Sequence, residues 1–304
     1  MKVAVTGASG FIGSAVAREL SAGGHEVTAL TRHPESYGGA GRPVLAEIQD
    51  SRTLRQALAG QDAAYYLVHS LATTDFAARD RAGARAFAAA ATEAGVGQVI
   101  YLGGLGDERD ALSPHLRSRR EVESILMEGA PTTALRAGIV IGDGSISWEI
   151  LRQLVERLPV MVTPRWVQTR TQPIALDDAL DDLTGVLGRQ DTIGQTYDVG
   201  GPEPLTYRSM METVSRLMGL GRLIIPVPLL SPRLSSHWLR LITDVDLTTA
   251  QALVDSMTNE VIVHDHRIEK LLGHVPMTFE AAAARALAAR ASRQGGVTGP
   301  HVAA

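Results

Sequence analysis

Cysteine is missing from all 304 residues of the chain. This absence excludes disulfides, thiolate nucleophiles and zinc–thiolate sites, and it leaves the redox compartment undetermined. Basic residues are not in excess either, because 29 Lys and Arg stand against 33 Asp and Glu, for a net charge of −4. Such a balance provides no basic field for nucleic acid or an anionic membrane, so we expect neither as a partner.

Long apolar runs are also missing. No run approaches the roughly 18 residues of a membrane span, and no basic segment precedes the short apolar start of the chain. We therefore expect a cytoplasmic protein, a monomer or homodimer, that acts on a small-molecule substrate. The nine histidines are scattered, and the alternation of His264 and His266 beside Asp265 suits a strand or loop better than a zinc site, so we assign no metal.

Glycine is concentrated near the amino terminus, where residues 6–13 read TGASGFIG. This loop follows an apolar run over residues 2–5, which predicts a strand, and precedes a predicted helix over residues 11–22. Gly7 permits a tight turn, Gly10 lets the backbone approach a pyrophosphate, and Gly13 lets the helix lie close to the sheet. The unpaired N–H groups of the helix then face the anion. The pattern predicts a dinucleotide phosphate loop, and a tight turn without a ligand is the alternative. The loop residues expected to contact the cofactor are Gly7, Ser9, Gly10, Phe11, Ile12 and Gly13.

The end of the predicted second strand, residues 26–30, indicates which dinucleotide is bound. An NAD-selective site usually places an acid there for the ribose 2′-hydroxyl, but this chain has Thr31, Arg32 and His33. Arg32 can pair with a 2′-phosphate, so we expect NADP(H), and a solvated loop arginine is the alternative. Glu47 and Ile48, at the end of a third strand over residues 44–48, would border the adenine.

Ligands of open parallel sheets bind beyond the carboxyl ends of the strands. His69 and Ser70 follow a fourth strand over residues 63–68, which makes them candidate cofactor contacts. A loop histidine that only shapes the channel is the alternative for His69. Ala137, Gly138 and Ile139 lie in a sixth strand over residues 133–141 that ends beside the cofactor.

The glycine loop, combined with later segments, resembles the short-chain dehydrogenase/reductase superfamily in its extended and atypical branch, over roughly residues 1–285. YYLVHS at residues 65–70, LRAGIVIG at 135–142 and PRW at 164–166 are similar to a bacterial NAD(P)-binding subgroup related to the NmrA-like proteins. The resemblance implies an α/β fold, a Rossmann-type doubly wound parallel sheet with a smaller C-terminal substrate-binding domain. We expect a Rossmann domain over residues 1–145, whose sheet is completed by about residues 171–200. A smaller covering domain is expected over residues 146–170 and 201–293, and a disordered tail over residues 294–304.

The family's Tyr-x-x-x-Lys pair is missing from this chain. The resemblance places His115 and Arg119 at those positions, one helical turn apart, and Gly103 and Gly104 close the fifth strand where a serine is usual. Arg119 can hold ribose hydroxyls but cannot shuttle protons. Histidine can donate a proton, and a nearby cation would lower its pKa. We assign both residues a catalytic role, with Gly103 and Arg119 also contacting the cofactor. The alternative is that His115 only lines the pocket and that the proton for the reaction comes from water or from the substrate.

Substrate contacts are predicted mainly from aromatic and basic residues in the second half of the chain. The segment around Arg165 and Trp166 suits a planar or acidic substrate, although Trp166 could equally be a packing residue. Asp177 and Asp178 are predicted to cap the helix that follows, a structural role. The predicted substrate-binding residues are Gly104, Trp148, Arg165, Trp166 and Trp238.

These features predict an NADPH-dependent oxidoreductase that reduces a carbonyl or similar group of an apolar, possibly aromatic small molecule. An NADP(H)-sensing regulatory protein of the NmrA type is the first alternative, because the pair of His115 and Arg119 would suffice for ribose contact. An epimerase or dehydratase is a further alternative, disfavoured because that chemistry generally depends on the missing tyrosine.

Overall fold

The structure of the protein, a computed structural model, describes residues 1–70, 73, 75–107, 110–226, 244 and 247–295. Its strands, in chain order, are β1 (Lys2–Thr6), β2 (Glu26–Thr31), β3 (Arg42–Leu45), β4 (Ala63–Tyr66), β5 (Gln98–Gly104), β6 (Thr132–Ala137), β7 (Val140–Ile141), β8 (Val160–Thr163), β9 (Arg170–Thr171), β10 (Ile174–Ala175), β11 (Thr196–Val199), β12 (Leu205–Thr206) and β13 (Leu223–Pro226). The α-helices, numbered over the described residues, are α1 (Phe11–Ala22), α2 (Ser51–Leu58), α3 (Phe76–Glu93), α4 (Pro114–Gly129), α5 (Ile146–Arg157), α6 (Leu176–Gly185), α7 (Tyr207–Leu217), α8 (Leu247–Ser256), α9 (Arg267–Leu272) and α10 (Phe279–Gly295).

Seven of the described strands form one parallel sheet in the order β11-β6-β5-β4-β1-β2-β3. Helices α1 and α6 pack on one face of the sheet, and α2, α3 and α4 pack on the other. Both faces are covered, which explains why the central strands are almost continuously apolar. The strand order reverses between β1 and β4, and the carboxyl ends of these two strands border the crevice where such sheets bind ligands. The predicted Rossmann-type α/β fold is confirmed.

A separate hydrophobic core lies beyond the sheet, among α5, α7 and α10. Trp148 of α5, Tyr207 and Met210 of α7 and Phe279 of α10 are buried in it. Short strand pairs connect this core to the sheet, since β7 pairs with β10 and β9 pairs with β12. A core of this kind is what the predicted covering domain requires.

Three expected boundaries are corrected by the structure. The third strand is residues 42–45, earlier than predicted, because Asp50 caps α2 with its side chain and the chain must turn before it. The sixth strand breaks at Gly138, where a Cβ would lie 3.1 Å from the carbonyl oxygen of Gln172, and resumes as β7 against a different partner. Helix α10 reaches Gly295, so the tail predicted to start at residue 294 does not start there.

The acidic pair on α6 has a different role from the predicted one. The helix begins after Ala175 without a side-chain cap, and Asp177 and Asp178 lie inside its first turn. Asp178 Oδ2 accepts a hydrogen bond from the N–H of Met277 at 2.8 Å, and Asp177 Oδ2 pairs with Arg285 Nη1 at 2.5 Å. The two carboxylates therefore attach the carboxyl-terminal segment to α6 rather than cap it.

The predicted substrate residue Trp238 lies outside the described residues. The segment after α7 is described as far as Pro226 and ends in β13, which pairs in parallel with β8. None of the helices in the described ranges combines the length and the apolar character that crossing a bilayer demands.

Candidate functional site

The glycine loop is shaped by its own backbone contacts. Gly7 has φ of +65°, and a Cβ on it would lie 2.8 Å from the carbonyl oxygen of Leu67. A Cβ on Gly13 would lie 2.1 Å from the Gly7 oxygen, so a side chain at this position would displace the turn. A Cβ on Gly10 meets its nearest atom, the same oxygen, at 3.2 Å. Gly7 and Gly13 are therefore required by the fold, whereas Gly10 faces more open space.

The start of helix α1 is available to an anion. Within the described residues no side chain caps the helix at Gly10, whose own N–H donates to the Gly7 oxygen at 2.8 Å. The first-turn N–H groups beyond it point toward the loop, where the helix dipole favours negative charge. The arrangement fits the pyrophosphate of a dinucleotide.

Two cavities lie along the carboxyl edge of the sheet, one on each side of the glycine loop. The first, which we call the β2 cavity, has a volume of about 350 Å³ and contains the end of β2. The second, the α4 cavity, has a volume of about 310 Å³ and is bordered by the start of α4. His69 lines both cavities, so together they form a continuous groove across the topological switch point.

Every residue that the sequence predicts as a cofactor contact lines one of these cavities. The β2 cavity brings together Gly7, Ser9, Arg32, Glu47, Ile48, His69 and Ser70. The α4 cavity brings together Gly10, Phe11, Ile12, Gly13, His69, Gly103, Arg119, Ala137, Gly138 and Ile139, together with the predicted substrate residue Gly104 and the predicted catalytic residue His115. The adenosine and nicotinamide halves of a dinucleotide would lie in the β2 and α4 cavities, respectively.

Arg119 is held firmly and keeps one donor unused. Its Nη2 donates to the carbonyl oxygen of Leu102, and its Cζ lies 5.2 Å from the centroid of the Tyr101 ring. The Tyr101 hydroxyl in turn donates to the Arg119 carbonyl oxygen at 3.0 Å. Nη1 is buried and has no hydrogen-bond partner among the described residues. A buried guanidinium donor without a partner is costly, and a ribose hydroxyl would satisfy it.

The loop that carries His69 and Ser70 is fixed by a buried carboxylate. Asp80 of α3 accepts a hydrogen bond from the Ser70 N–H at 2.8 Å, and Ser118 Oγ lies 3.5 Å from its second oxygen. Burial raises the pKa of Asp80, while the hydrogen bonds from Ser70 and the charge of Arg119 oppose the rise. Sequence reasoning missed Asp80 because its partner is ten residues away across a loop.

His69 and His115 are neutral at ordinary pH. Burial, followed by the charge of Arg119, lowers the pKa of His69 to about 4. Burial, followed by Arg119 and His69, lowers the pKa of His115 to about 3. The pKa of His115 is lowered, as the sequence predicts, but burial lowers it more than the charge of Arg119 does. Proton donation by His115 stays a prediction, and near neutral pH the proton would come from the neutral ring, because the charged imidazolium is not populated there.

Neither Trp148 nor Trp166, two of the predicted aromatic substrate contacts, lines the groove. Trp148 has no exposed surface and belongs to the second hydrophobic core, so its substrate role is corrected to packing. Trp166 is 9% exposed and packs edge-to-face on Tyr207, with ring centroids 5.7 Å apart. Arg165 is placed by its backbone at the start of a 3₁₀ turn, and Trp238 lies outside the described residues.

The α4 cavity is also lined by residues that sequence reasoning did not select. Many of them are apolar, among them Leu116 of α4, Ile146 of α5, Leu253 of α8 and Met257 just after α8. Its described lining contains no Asp or Glu, and Arg119 is its single Lys or Arg. Ser256 also lines this cavity and contacts His115. No local sequence pattern identifies residues from α8, because they reach the groove through tertiary packing alone.

Comparison with known proteins points to the same cofactor class. Residues 7–153 match a family described as NAD(P)H-binding. A (4-alkanoyl-5-oxo-2,5-dihydrofuran-3-yl)methyl phosphate reductase from Streptomyces griseus is 32% identical over 230 residues, which cover 71% of this chain and 74% of the relative. A ceramide reductase from Caulobacter vibrioides is 28% identical over 274 residues, which cover 84% of this chain and 79% of the relative.

Longer relatives also match. An uncharacterized protein from Mycobacterium tuberculosis is 27% identical over 222 residues, which cover 72% of this chain but 24% of the relative. The matched part of the chain thus spans about a quarter of the length of this mycobacterial protein.

Solved structures share the fold over nearly the whole chain. An NADPH-dependent quinone oxidoreductase from Escherichia coli, solved with NADPH, has a TM-score of 0.73 at 20% identity and covers 92% of this chain and 98% of its own. A short-chain dehydrogenase/reductase superfamily protein from Agrobacterium tumefaciens, solved with NAD, has a TM-score of 0.71 at 18% identity and covers 98% of this chain and 99% of its own. The family match and the Streptomyces griseus reductase at 32% identity show that the chain belongs to the NAD(P)H-binding family, and these solved structures share its fold.

Proposed function

We propose that the protein is an NADPH-dependent reductase of a carbonyl or comparably reducible group on a neutral, apolar small molecule. The observation that carries the proposal is the α4 cavity, where the glycine loop, Arg119 and His115 border a largely aliphatic space with no carboxylate in its described lining. Two relatives, at 32% and 28% identity, are reductases. When bound, the nicotinamide supplies the hydride.

The residues of this chain would bind and orient the cofactor and the substrate rather than activate the substrate chemically. The glycine loop would hold the pyrophosphate, and the free Nη1 of Arg119 would hold a ribose hydroxyl. The aliphatic side chains of α4 and α8 would exclude water from the reacting group, which favours close approach of hydride donor and acceptor. With His69 and His115 neutral, the proton that completes the reduction would come from water or from the substrate.

The preference for NADPH rests on two arginines of the β2 cavity. Arg32 follows β2, and Arg79 of α3 reaches the same cavity, and neither forms an ion pair among the described residues. Glu47 lines the cavity too, but its Oε1 accepts a hydrogen bond from the Ile48 N–H at 3.1 Å. Unpaired guanidinium groups at this position favour a 2′-phosphate over a 2′-hydroxyl.

Calorimetry with NADPH and NADH tests this preference. Arg32→Ala should weaken NADPH binding by about 10- to 100-fold and leave NADH binding nearly unchanged, because a charge-assisted pair to the 2′-phosphate is lost. Arg52→Ala, an exposed arginine of α2 that does not line the cavity, is the control. Equal wild-type affinities for the two cofactors would refute the preference.

An NADP(H)-sensing protein is the second candidate. The observation in its favour is that Arg119 has a buried Nη1 without a partner among the described residues, whereas His115, one helical turn away, is neutral. Such a site binds cofactor without a ready proton donor. The two candidates differ in whether any small molecule is reduced at the expense of NADPH.

A further inference from the structure

We infer that Ser256 holds His115 in the neutral tautomer that carries its proton on Nδ1, so that Nε2 faces the ligand as a hydrogen-bond acceptor. The inference deepens the proposed function, because both residues line the α4 cavity that would receive the substrate. It identifies Ser256 as a positioning residue. It also identifies the chemistry of the ligand atom opposite His115, which must be a hydrogen-bond donor.

Three polar groups surround the Ser256 hydroxyl at the end of α8. Its Oγ lies 2.8 Å from the carbonyl oxygen of Ala252, 3.1 Å from Ser113 Oγ and 3.0 Å from His115 Nδ1. The Ser113 hydroxyl also accepts a hydrogen bond from the Leu116 N–H at 3.2 Å, as the cap of α4. Ser256 thus connects a covering helix to the first turn of the helix that carries His115.

The hydrogens available to these contacts admit one complete assignment. A carbonyl oxygen only accepts, so the contact with Ala252 needs the single hydroxyl hydrogen of Ser256. Ser256 can then only accept from its other two neighbours. Ser113 must donate its hydroxyl hydrogen to Ser256, and His115 must donate from Nδ1. In the opposite tautomer the Ser256 hydrogen would go to His115, and the 2.8 Å contact between Ser256 and Ala252 would lack a hydrogen.

The neutral state of His115 is a separate observation that agrees with this assignment. Burial lowers the pKa of the ring well below neutrality, so the ring carries one proton rather than two. With that proton on Nδ1, the lone pair lies on Nε2. Nε2 has no hydrogen-bond partner among the described residues, and His115 lines the cavity.

A second contact keeps the two helices in register. The Ser113 N–H donates to Asn259 Oδ1 at 2.9 Å, and Asn259 Nδ2 donates to the Ala111 carbonyl oxygen at 3.1 Å. The residues just after α8 therefore hold the residues just before α4. This clamp fixes the distance between Ser256 and His115, so the tautomer is set by the folded protein before any ligand binds.

The tautomer restricts the ligand. An acceptor at Nε2 repels a carbonyl oxygen and attracts a hydroxyl or N–H group. The geometry therefore points to substrates that carry a hydroxyl or N–H beside the reducible group, with His115 contacting that donor rather than the carbonyl. A substrate with such a donor would gain about 2- to 12-fold in affinity over the matched compound without it, the range of one neutral hydrogen bond.

Nitrogen NMR of the full-length protein without cofactor tests the tautomer directly. In ¹⁵N-histidine-labelled protein, the His115 signals, assigned by their loss in His115→Gln, should show a protonated Nδ1 and an unprotonated Nε2 near pH 7. Ser256→Ala should abolish this preference, and Ser256→Thr, which keeps the hydroxyl, should restore it. A wild-type Nε2 that carries the proton, or an unchanged tautomer in Ser256→Ala, would overturn the inference.

Binding of a matched pair of ligands tests the consequence. Calorimetry on NADP⁺-saturated protein should show tighter binding of 2-hydroxyacetophenone than of acetophenone, and the difference should vanish in His115→Phe. Equal wild-type affinities would overturn the ligand assignment. Because the NMR measurement uses neither cofactor nor substrate, a protein that reduces nothing would refute the proposed function while the role of Ser256 could still be established.

Discussion

At the scale of single residues, the three glycines of the phosphate loop have separable tasks. Gly13 must lack a side chain for the turn itself, since a Cβ would lie 2.1 Å from the Gly7 oxygen, whereas at Gly10 the same contact is 3.2 Å. The sequence motif already predicts separate tasks for these positions. The contacts that a Cβ would make distinguish Gly13, which the fold requires, from Gly10, which leaves room for a ligand.

The first prediction follows from this difference. Gly10→Val should leave the protein folded but abolish the rise in melting temperature that NADPH causes, because its side chain would occupy the pyrophosphate position. Gly13→Ala, the matched control, should lower the melting temperature of the protein without cofactor. Retained stabilisation by NADPH in Gly10→Val would show that the loop is only a turn.

The second prediction concerns Arg119. Arg119→Ala should weaken NADPH binding by about 10-fold or more in calorimetry, because it removes both a positive charge and the buried Nη1 donor. Arg117→Ala, an exposed arginine on the same helix, should bind NADPH like the wild type. If the two variants have the same affinity, Arg119 does not contact the cofactor.

The third prediction separates the two roles considered for His115. A general acid contributes about 100- to 10,000-fold to turnover. A neutral hydrogen-bond acceptor contributes far less, so His115→Phe should lower kcat/KM by roughly 10-fold or less and leave the NADPH affinity unchanged. Because the lowered pKa of His115 lies at about 3, wild-type kcat/KM should be flat from about pH 5.5 to about pH 8. A loss of 100-fold or more, or a fall in rate as pH rises past about 6.5, would restore the proton-donor role.

At the scale of elements, a buried carboxylate lies where the segment of α9 packs against α6. Asp182 of α6 is 2% exposed, and His274 Nε2, in the loop after α9, lies 3.5 Å from its Oδ1. Burial, followed by the charges of Asp178, Asp181 and Glu269, raises the pKa of Asp182 to about 7. The folded protein therefore keeps a proton on this group at pH values where the unfolded chain has lost it.

The fourth prediction gives the sign of the resulting pH dependence. Between about pH 4, near the ordinary pKa of 3.8, and about pH 7, the folded state binds more protons at Asp182 than the unfolded state, so this group makes stability fall as pH rises. Asp182→Asn should remove that contribution, which denaturant unfolding of both proteins across this range would measure. Asp75→Asn, an exposed carboxylate before α3, should keep the wild-type slope. An unchanged slope in Asp182→Asn would show that Asp182 ionises normally.

The sequence predicted the elements best where the signal was local. The alternation of apolar runs and amphipathic helices located the strands of the parallel sheet to within a few residues. The break at Gly138 was missed because it depends on the Gln172 backbone, 34 positions away. Asp178 was misassigned for a similar reason, since its partner is the Met277 N–H and not its own helix.

At the scale of the whole molecule, the cofactor groove was predictable and the substrate end was not. The glycine loop and the strand ends follow from the order of the sheet, so all predicted cofactor contacts lie in the two cavities. Tryptophan is common in binding sites, but Trp148 and Trp166 fill the second hydrophobic core. No local sequence pattern predicts this packing. Ser256 reaches His115 across 141 positions in the chain, through the packing of α8 on α4.

The central claim is that the α4 cavity reduces neutral, apolar carbonyl compounds with NADPH, and nicotinamide absorbance tests it most directly. The purified protein is incubated with NADPH and a panel of aromatic ketones, quinones and enones, each paired with a carboxylate-bearing analogue. We expect NADPH consumption with neutral members of the panel, little with the charged analogues, and much slower turnover with NADH. Tight NADPH binding without turnover of any member, together with a protein partner that binds only one redox state of the cofactor, would contradict the reductase and favour the sensor.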